Sequence, residues 1–231
     1  MATFSVLVLT APPPGEGAGG GGAYAKIDGR EALLRSVELF LNRDNIKQIQ
    51  LAIPADAMEE VKRKFGGHLG FSGVKLISTG PKWMDQIAAA APTLAAEATH
   101  IILHDAARPA VPYSDIDAIM AEVQQHPVAV LSTPVRTSLV ETDEGGNPVA
   151  IHPPAGYMHL MTPMGYSREK FLEMARTKTE IHPSQMTLVK GSALNVRISA
   201  PGDASLVKAM TNMLPKPKIK ALNSPFEEAQ W

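Results

Sequence analysis

Five short runs rich in β-branched residues and leucine, at 4–9, 48–53, 74–78, 100–103 and 128–133, alternate with stretches whose apolar residues recur at helical spacing. Near-continuous apolar runs of this length read as strands buried on both faces, which is how strands behave in a parallel sheet covered by helices. Between them, REALLRSVELFLNR places Leu33, Leu34, Val37, Phe40 and Leu41 on one face, and PADAMEEVKRKF does the same with Met58, Val61 and Phe65. WMDQIAAAAPTLAAEA and YSDIDAIMAEVQQ predict two further helices, with Ser114 as the expected cap of the second. Strand and helix in alternation predict an α/β three-layer sandwich with a mainly parallel, mixed Rossmann-type sheet and right-handed crossovers. Ligands of such sheets bind beyond the carboxyl ends of the strands.

The pattern changes after residue 134. RTSLVETDEGGNPVAIHPP carries two extended segments around the turn signal Asp143-Glu144-Gly145-Gly146, so a β-hairpin arm is expected over about 136–157. A projecting hairpin needs cover, and a second copy of the chain is the expected cover, giving a homodimer. SREKFLEMARTK, capped by Ser167, and GDASLVKAMTNML predict two amphipathic helices. The expected organisation is one domain over 1–214 and an irregular, proline-punctuated tail over 215–231.

The formal charge of −1, from 22 basic and 23 acidic residues, provides no global field for nucleic acid or anionic membrane, so any anion site must be local. The absence of cysteine excludes disulfides, thiolate zinc sites and a cysteine nucleophile, and fits a reducing compartment. No basic region precedes the first apolar run, which is too short to span a bilayer, so a cytoplasmic protein is expected. His100 and His104 have metal-ligand spacing only if they lie on a helix; on a strand they stand about 13 Å apart, too far to share a zinc ion.

The first strand runs into APPPGEGAGGGGAYAK. Gly15, Gly17 and Gly20 satisfy G-x-G-x-x-G, which admits a dinucleotide-binding oxidoreductase, but no acidic residue follows at the distance the ribose contact needs. The loop amides could cradle an anion that Glu16 opposes, or the loop could be a flexible connection.

The segment IILHDAARPAVPYSDIDAI delivers Asp105 and Arg108 at the carboxyl end of a strand. It resembles the signature of the 2-C-methyl-D-erythritol 4-phosphate cytidylyltransferase family, and the resemblance runs along most of the chain. GPKWMDQIAAAAPTL, STPVRTSL, HLMTPMGYSREKFLEM and ALNVRISAPGDASL resemble further family segments in order. The resemblance implies a nucleotidyltransferase fold and transfer of CMP from CTP to 2-C-methyl-D-erythritol 4-phosphate, a step of isoprenoid precursor synthesis that releases pyrophosphate.

By the same resemblance, Asp105 binds Mg²⁺ and Arg197 stands where the family has a lysine at the α-phosphate. Gly15, Gly17, Gly19, Gly80, Asp85 and Arg108 contribute to the nucleotide site. Lys26 is the candidate substitute for the family's loop cations, which are missing between Gly15 and Gly22. Lys82, or Lys216 or Lys218 of the tail, could compensate in its place. Other family positions also differ: Trp83 replaces an arginine, Gln86 a serine, Thr137 and Ser138 an aspartate–threonine pair, and Pro154 an arginine that reaches the substrate from the neighbouring subunit. Of the family's T-D motif only Thr179 and Glu180 remain. These departures admit a second reading, a degenerate member that is a non-catalytic nucleotide- or partner-binding dimer or that acts on another sugar or polyol phosphate.

Overall fold

A computed structural model describes residues 2–17 and 19–214; the expected tail, with Lys216 and Lys218, lies outside the described residues. The strands in chain order are β1 (Phe4–Leu9), β2 (Lys26–Ile27), β3 (Arg30–Glu31), β4 (Ile46–Pro54), β5 (Val74–Thr79), β6 (His100–Asp105), β7 (Val128–Pro134), β8 (Leu139–Thr142), β9 (Pro148–His152), β10 (Met158–Ser167) and β11 (Thr187–Lys190). The helices are α1 (Ala32–Glu38), α2 (Met58–Phe71), α3 (Trp83–Ala90), α4 (Tyr113–Glu122), α5 (Arg168–Thr177) and α6 (Asp203–Met213).

Seven strands form the central sheet in the order β11-β7-β10-β6-β1-β4-β5. Every neighbouring pair is parallel except those made by β10, which runs antiparallel to both β6 and β7. This is the expected mixed, mainly parallel α/β sandwich. All five strands read from apolar runs are present.

The strand period distributes one run of sequence between two cores. Val6 and Val8 of β1 face a cluster with Leu33, Phe40, Val61 and Ile116, while Leu7 and Leu9 face Trp83, Ile87, Phe171 and Met174. Each of these β1 side chains is wholly buried, and each such burial contributes about 1.5–3 kcal/mol. A third cluster, with Ile27, Ala110, Ile198 and Val207, seats β2 and α6 against the segment that follows β6.

Three features of the fold stand apart from the sequence reading. α4 begins after Pro112, not at a Ser114 cap: Pro112 is extended at its N-cap and Ser114 lies inside the first turn. Ser167, by contrast, caps α5 by accepting from the Lys170 amide at 3.3 Å. The segment around Arg197 belongs to no sheet; it is tied by the Ile198 amide to the Ala107 carbonyl at 2.9 Å. β10 is the third difference: its proline and glycine interrupt the apolar run, so sequence periodicity alone does not announce it.

β8 and β9 form a two-stranded antiparallel hairpin within the span expected for the arm. Asp143 accepts from the amides of Gly145 and Asn147 and so closes its turn. Val140, Val149 and Ile151 of the hairpin are exposed, at 54%, 63% and 74%. Among the described residues no helix is long and apolar enough to cross a membrane.

Candidate active site

β1 and β6 pair in parallel with Leu9 opposite Asp105, so the glycine-rich loop and the segment from Asp105 to Arg108 leave the sheet side by side. The loop does not wander from there. The Glu16 amide donates to the Pro13 carbonyl at 3.0 Å, and Gly15 has φ +81°. Proline at the second position and a positive-φ glycine at the third are what a type II turn requires. The prolines that withhold amide donors thus build the turn that delivers Glu16.

Glu16 meets two guanidinium groups. Its carboxylate lies 2.8 Å from Arg197 Nε and 3.5 Å from Arg108 Nη2. Arg197 Nε also donates to Asp105 Oδ2 at 2.6 Å, while its Nη1 donates to the Gly17 carbonyl and the Ser199 hydroxyl. The other oxygen of Asp105 accepts from the Ala107 amide at 2.8 Å. Asp105 and Arg108, three residues apart, form no ion pair with each other; each finds a partner from a distant segment. Arg108 Nη1 donates instead to the Asn195 carbonyl at 3.0 Å. Two cations and two carboxylates balance within one cluster, and Arg108, Arg197 and Asp105 are all buried. Burial lowers the Arg108 pKa, with Glu16 and Asp105 pushing it back up.

His104 and Thr162 brace the cluster from beneath. His104 Nε2 lies 3.1 Å from the Arg108 carbonyl, which can only accept, so that nitrogen carries the proton. Thr162 accepts from the Asp105 amide at 3.0 Å and donates its own proton to His104 Nδ1 at 3.3 Å. The fully buried ring is held neutral: burial and then the Arg108 charge lower its pKa to about 3, against the bond to the Arg108 carbonyl. His104 thus positions the loop of Arg108, while His100 lies four residues earlier on the same strand.

The remaining predicted residues divide. Gly17 joins the cluster through its carbonyl, and Gly15 serves the turn. Gly19 opens the short 3-10 helix Gly19–Tyr24. Gly80 packs so closely on Asp85 that a Cβ there would lie 2.9 Å from the Asp85 Cβ. Asp85 sits in the first turn of α3, 3.1 Å from Lys178 Nζ. Lys26 is exposed on β2 and lines a separate small cavity with Tyr24, Glu60 and Lys64; the structure does not bring it to Arg108 and Arg197.

Sequence reading named Gln86 only as a departure from the family's serine and missed Arg136. Gln86, at the position of the family's serine, is wholly buried and its Oε1 accepts from the amides of Thr10 and Ala11 at 3.0 and 3.1 Å. It clamps the point where β1 becomes the loop. Arg136, exposed beyond β7, lines the same cleft as Arg108 and Arg197.

Two cavities meet at the cluster. A cleft of about 830 Å³ extends from Arg108 and Arg197 past Arg136, Thr137 and Leu160 towards the hairpin side. A second, of about 490 Å³, lies under Pro13 and Pro14 and is lined by Trp83, Met164, Met174 and Ile181. Both touch Glu16 and Arg108.

Asp105 offers hard carboxylate oxygens at a strand end, the donor type Mg²⁺ takes when phosphates and water complete its shell. Among the described residues no group of three or more histidine, cysteine or acidic side chains could enclose a metal alone, so such an ion would share its coordination with a ligand. Asp105 has the donor chemistry, but its side chain is 1% exposed and its two oxygens accept from the Ala107 amide and from Arg197, so a metal would reach it only where Arg197 releases Oδ2.

A profile of the 2-C-methyl-D-erythritol 4-phosphate cytidylyltransferase family matches residues 6–212. Proteins of that name from Frankia casuarinae and Deinococcus radiodurans are each 27% identical to this chain, over 217 and 206 residues. The alignments cover 88% and 82% of this chain and 79% and 81% of theirs. The crystal structure of the Thermus thermophilus 2-C-methyl-D-erythritol 4-phosphate cytidylyltransferase superposes with a TM-score of 0.69 at 21% identity, covering 89% of this chain and 98% of that one. A CMP:2-keto-3-deoxy-manno-octonic acid synthetase complexed with CTP shares the fold at a TM-score of 0.63 and 14% identity, covering 92% and 99%.

Proposed function

The chain belongs to the 2-C-methyl-D-erythritol 4-phosphate cytidylyltransferase family, and on that premise we propose that it transfers CMP from CTP to 2-C-methyl-D-erythritol 4-phosphate and releases pyrophosphate. The observation that carries the reading is the Asp105–Arg197–Arg108 cluster at the carboxyl ends of β1 and β6, whose Arg108 lines two cavities and whose Arg197 lines the larger. Transfer between two phosphates needs room for two reactants on either side of one anion-stabilising centre, and that arrangement supports it.

In the proposed reaction an oxygen of the acceptor phosphate attacks the α-phosphorus of CTP in line. The new oxygen–phosphorus bond forms as the bond to the bridging oxygen breaks, and pyrophosphate leaves with the electron pair. Such a displacement asks the protein for position and charge rather than covalent help. Arg197 stabilises the charge that develops at the α-phosphate. Arg108, together with Arg136 and Thr137 of the larger cleft, receives the acceptor phosphate. The loop that carries Gly15, Gly17 and Gly19 receives the leaving phosphates. Asp105, with Oδ2 released by Arg197, would hold Mg²⁺ together with the nucleotide, and the ion would supply neutralising charge to the phosphate oxygens.

The exposed Val140, Val149 and Ile151 support a homodimer in which a second copy covers the arm. The family's arginine from the neighbouring subunit is Pro154 here, so Arg136 within the same chain is the cation left to meet the acceptor from the arm side.

The deciding experiment is pyrophosphate release from CTP, Mg²⁺ and 2-C-methyl-D-erythritol 4-phosphate. Release that depends on the acceptor and falls to background in Asp105→Asn is the expected result. Release at background in the unaltered protein would leave the non-catalytic reading in its place.

A further inference from the structure

We propose that the Glu16 carboxylate stands in for a substrate phosphate, and that Glu16 sets which anions the site accepts. The inference rests on the proposed reaction only in taking the site to be one for phosphates.

Glu16 is not a surface acid that happens to find a counter-ion. The Pro13–Glu16 turn fixes its backbone, and its two oxygens reach two different guanidinium groups, Arg197 at 2.8 Å and Arg108 at 3.5 Å. Those side chains are only 6% and 9% exposed, whereas Glu16 is 32% exposed. The cations are therefore built into the protein, and the anion approaches them from the cleft. The same arginine that holds Asp105 also holds the Gly17 carbonyl, so the loop is fastened at two successive residues on the spot where phosphates would lie.

The fit is incomplete in a way that points to a larger anion. Among the described residues Arg108 Nε is buried without a partner. A planar carboxylate already spread between two guanidinium groups cannot also reach it, whereas a phosphate offers more oxygens in a tetrahedral array. A buried donor left unmade is costly, so a ligand that satisfies it gains over the carboxylate it displaces.

Selectivity follows from tethering. An intramolecular carboxylate competes at an effective concentration on the order of millimolar or above, so a ligand with one anionic group competes poorly. A polyphosphate engages both arginines at once and wins. Where a family loop carries cations that attract every phosphate, this loop carries an anion that admits only multiply charged ones.

The test is calorimetric titration of inorganic pyrophosphate, and separately of inorganic phosphate, into the full chain and into Glu16→Gln and Glu16→Asp. Each titration is run with and without Mg²⁺, alongside melting curves of the unliganded proteins. Glu16→Gln should bind pyrophosphate about tenfold or more tightly than the unaltered chain, as removal of one charge-assisted competitor implies, and should melt lower when unliganded. The preference for pyrophosphate over phosphate should narrow. Glu16→Asp, shorter by one methylene, should fall between the two, and it tests the proposal by itself if Glu16→Gln does not fold. Unchanged or weaker pyrophosphate binding in both variants overturns it, as does loss of Mg²⁺ dependence in Glu16→Gln, which would make Glu16 a metal ligand. Failure of CMP transfer would sink the proposed reaction and leave this result standing.

Discussion

Arg197 Nε donates to Asp105 Oδ2 at 2.6 Å across 92 residues of sequence, and both side chains are almost completely enclosed. The pair joins the end of a central strand to a segment that belongs to no sheet. It therefore fixes the site and the fold together.

Replacing one member should show this. Arg197→Met strands a buried carboxylate, a change that costs about 3–5 kcal/mol, and should abolish transfer. Urea denaturation reads the stability loss. Asp105→Asn in the same chain should recover part of the stability and none of the turnover.

His104 predicts the acid limb of stability. Its folded pKa of about 3 lies below the unfolded value of 6.5, so the unfolded chain binds the proton first. The contribution is present above pH 6.5 and lost as pH falls towards 3, by about 1.4 kcal/mol per pH unit. Between pH 7 and pH 5 the unaltered protein should lose about 2 kcal/mol more than His104→Gln does. Equal losses would show that the ring does not titrate as its burial requires.

Gln86 should behave as a clamp. Gln86→Ala leaves the amides of Thr10 and Ala11 without their acceptor, at a cost of about 1–3 kcal/mol for a buried donor. Gln86→Ser restores the family's residue but is too short to reach both amides, so it should melt close to Gln86→Ala.

The arm predicts the oligomeric state. Ile151→Glu places a charge at the most exposed apolar position of β9 and should convert a dimer to a monomer by light scattering. The secondary structure measured by circular dichroism should not change, because Ile151 packs against no core.

The fold was legible because its strands are apolar runs: each side chain of β1 faces one of two helix layers, and periodicity reports that directly. β10 escaped because Pro163 and Gly165 interrupt its run, and its place between β6 and β7 is decided by partners far away in the chain. The site was legible only in part, for the same reason. Asp105 and Arg108 announce themselves at a strand end, yet their partners, Arg197 and Glu16, are 92 residues distant in each case. Arg197 was accessible through resemblance. Glu16 and Gln86 carry no local signal, since their roles exist only once the loop, α3 and the Arg197 segment have met. Lys26 illustrates the converse: proximity in sequence to the loop did not bring it to the cluster.

The insertion of β10 between two strands that precede it also governs the order in which the protein can be made. A chain still emerging from the ribosome holds β6 and β7 long before it holds residues 158–167. Until those residues arrive, β6 has one edge unpaired and β7 has both, because its other neighbour, β11, comes later still, and such edges invite pairing with other chains. A nascent chain that pauses before Met158 is thus a sheet that stops at β6 with β7 still unattached, and the speed of synthesis across that stretch sets how long their edges stay exposed.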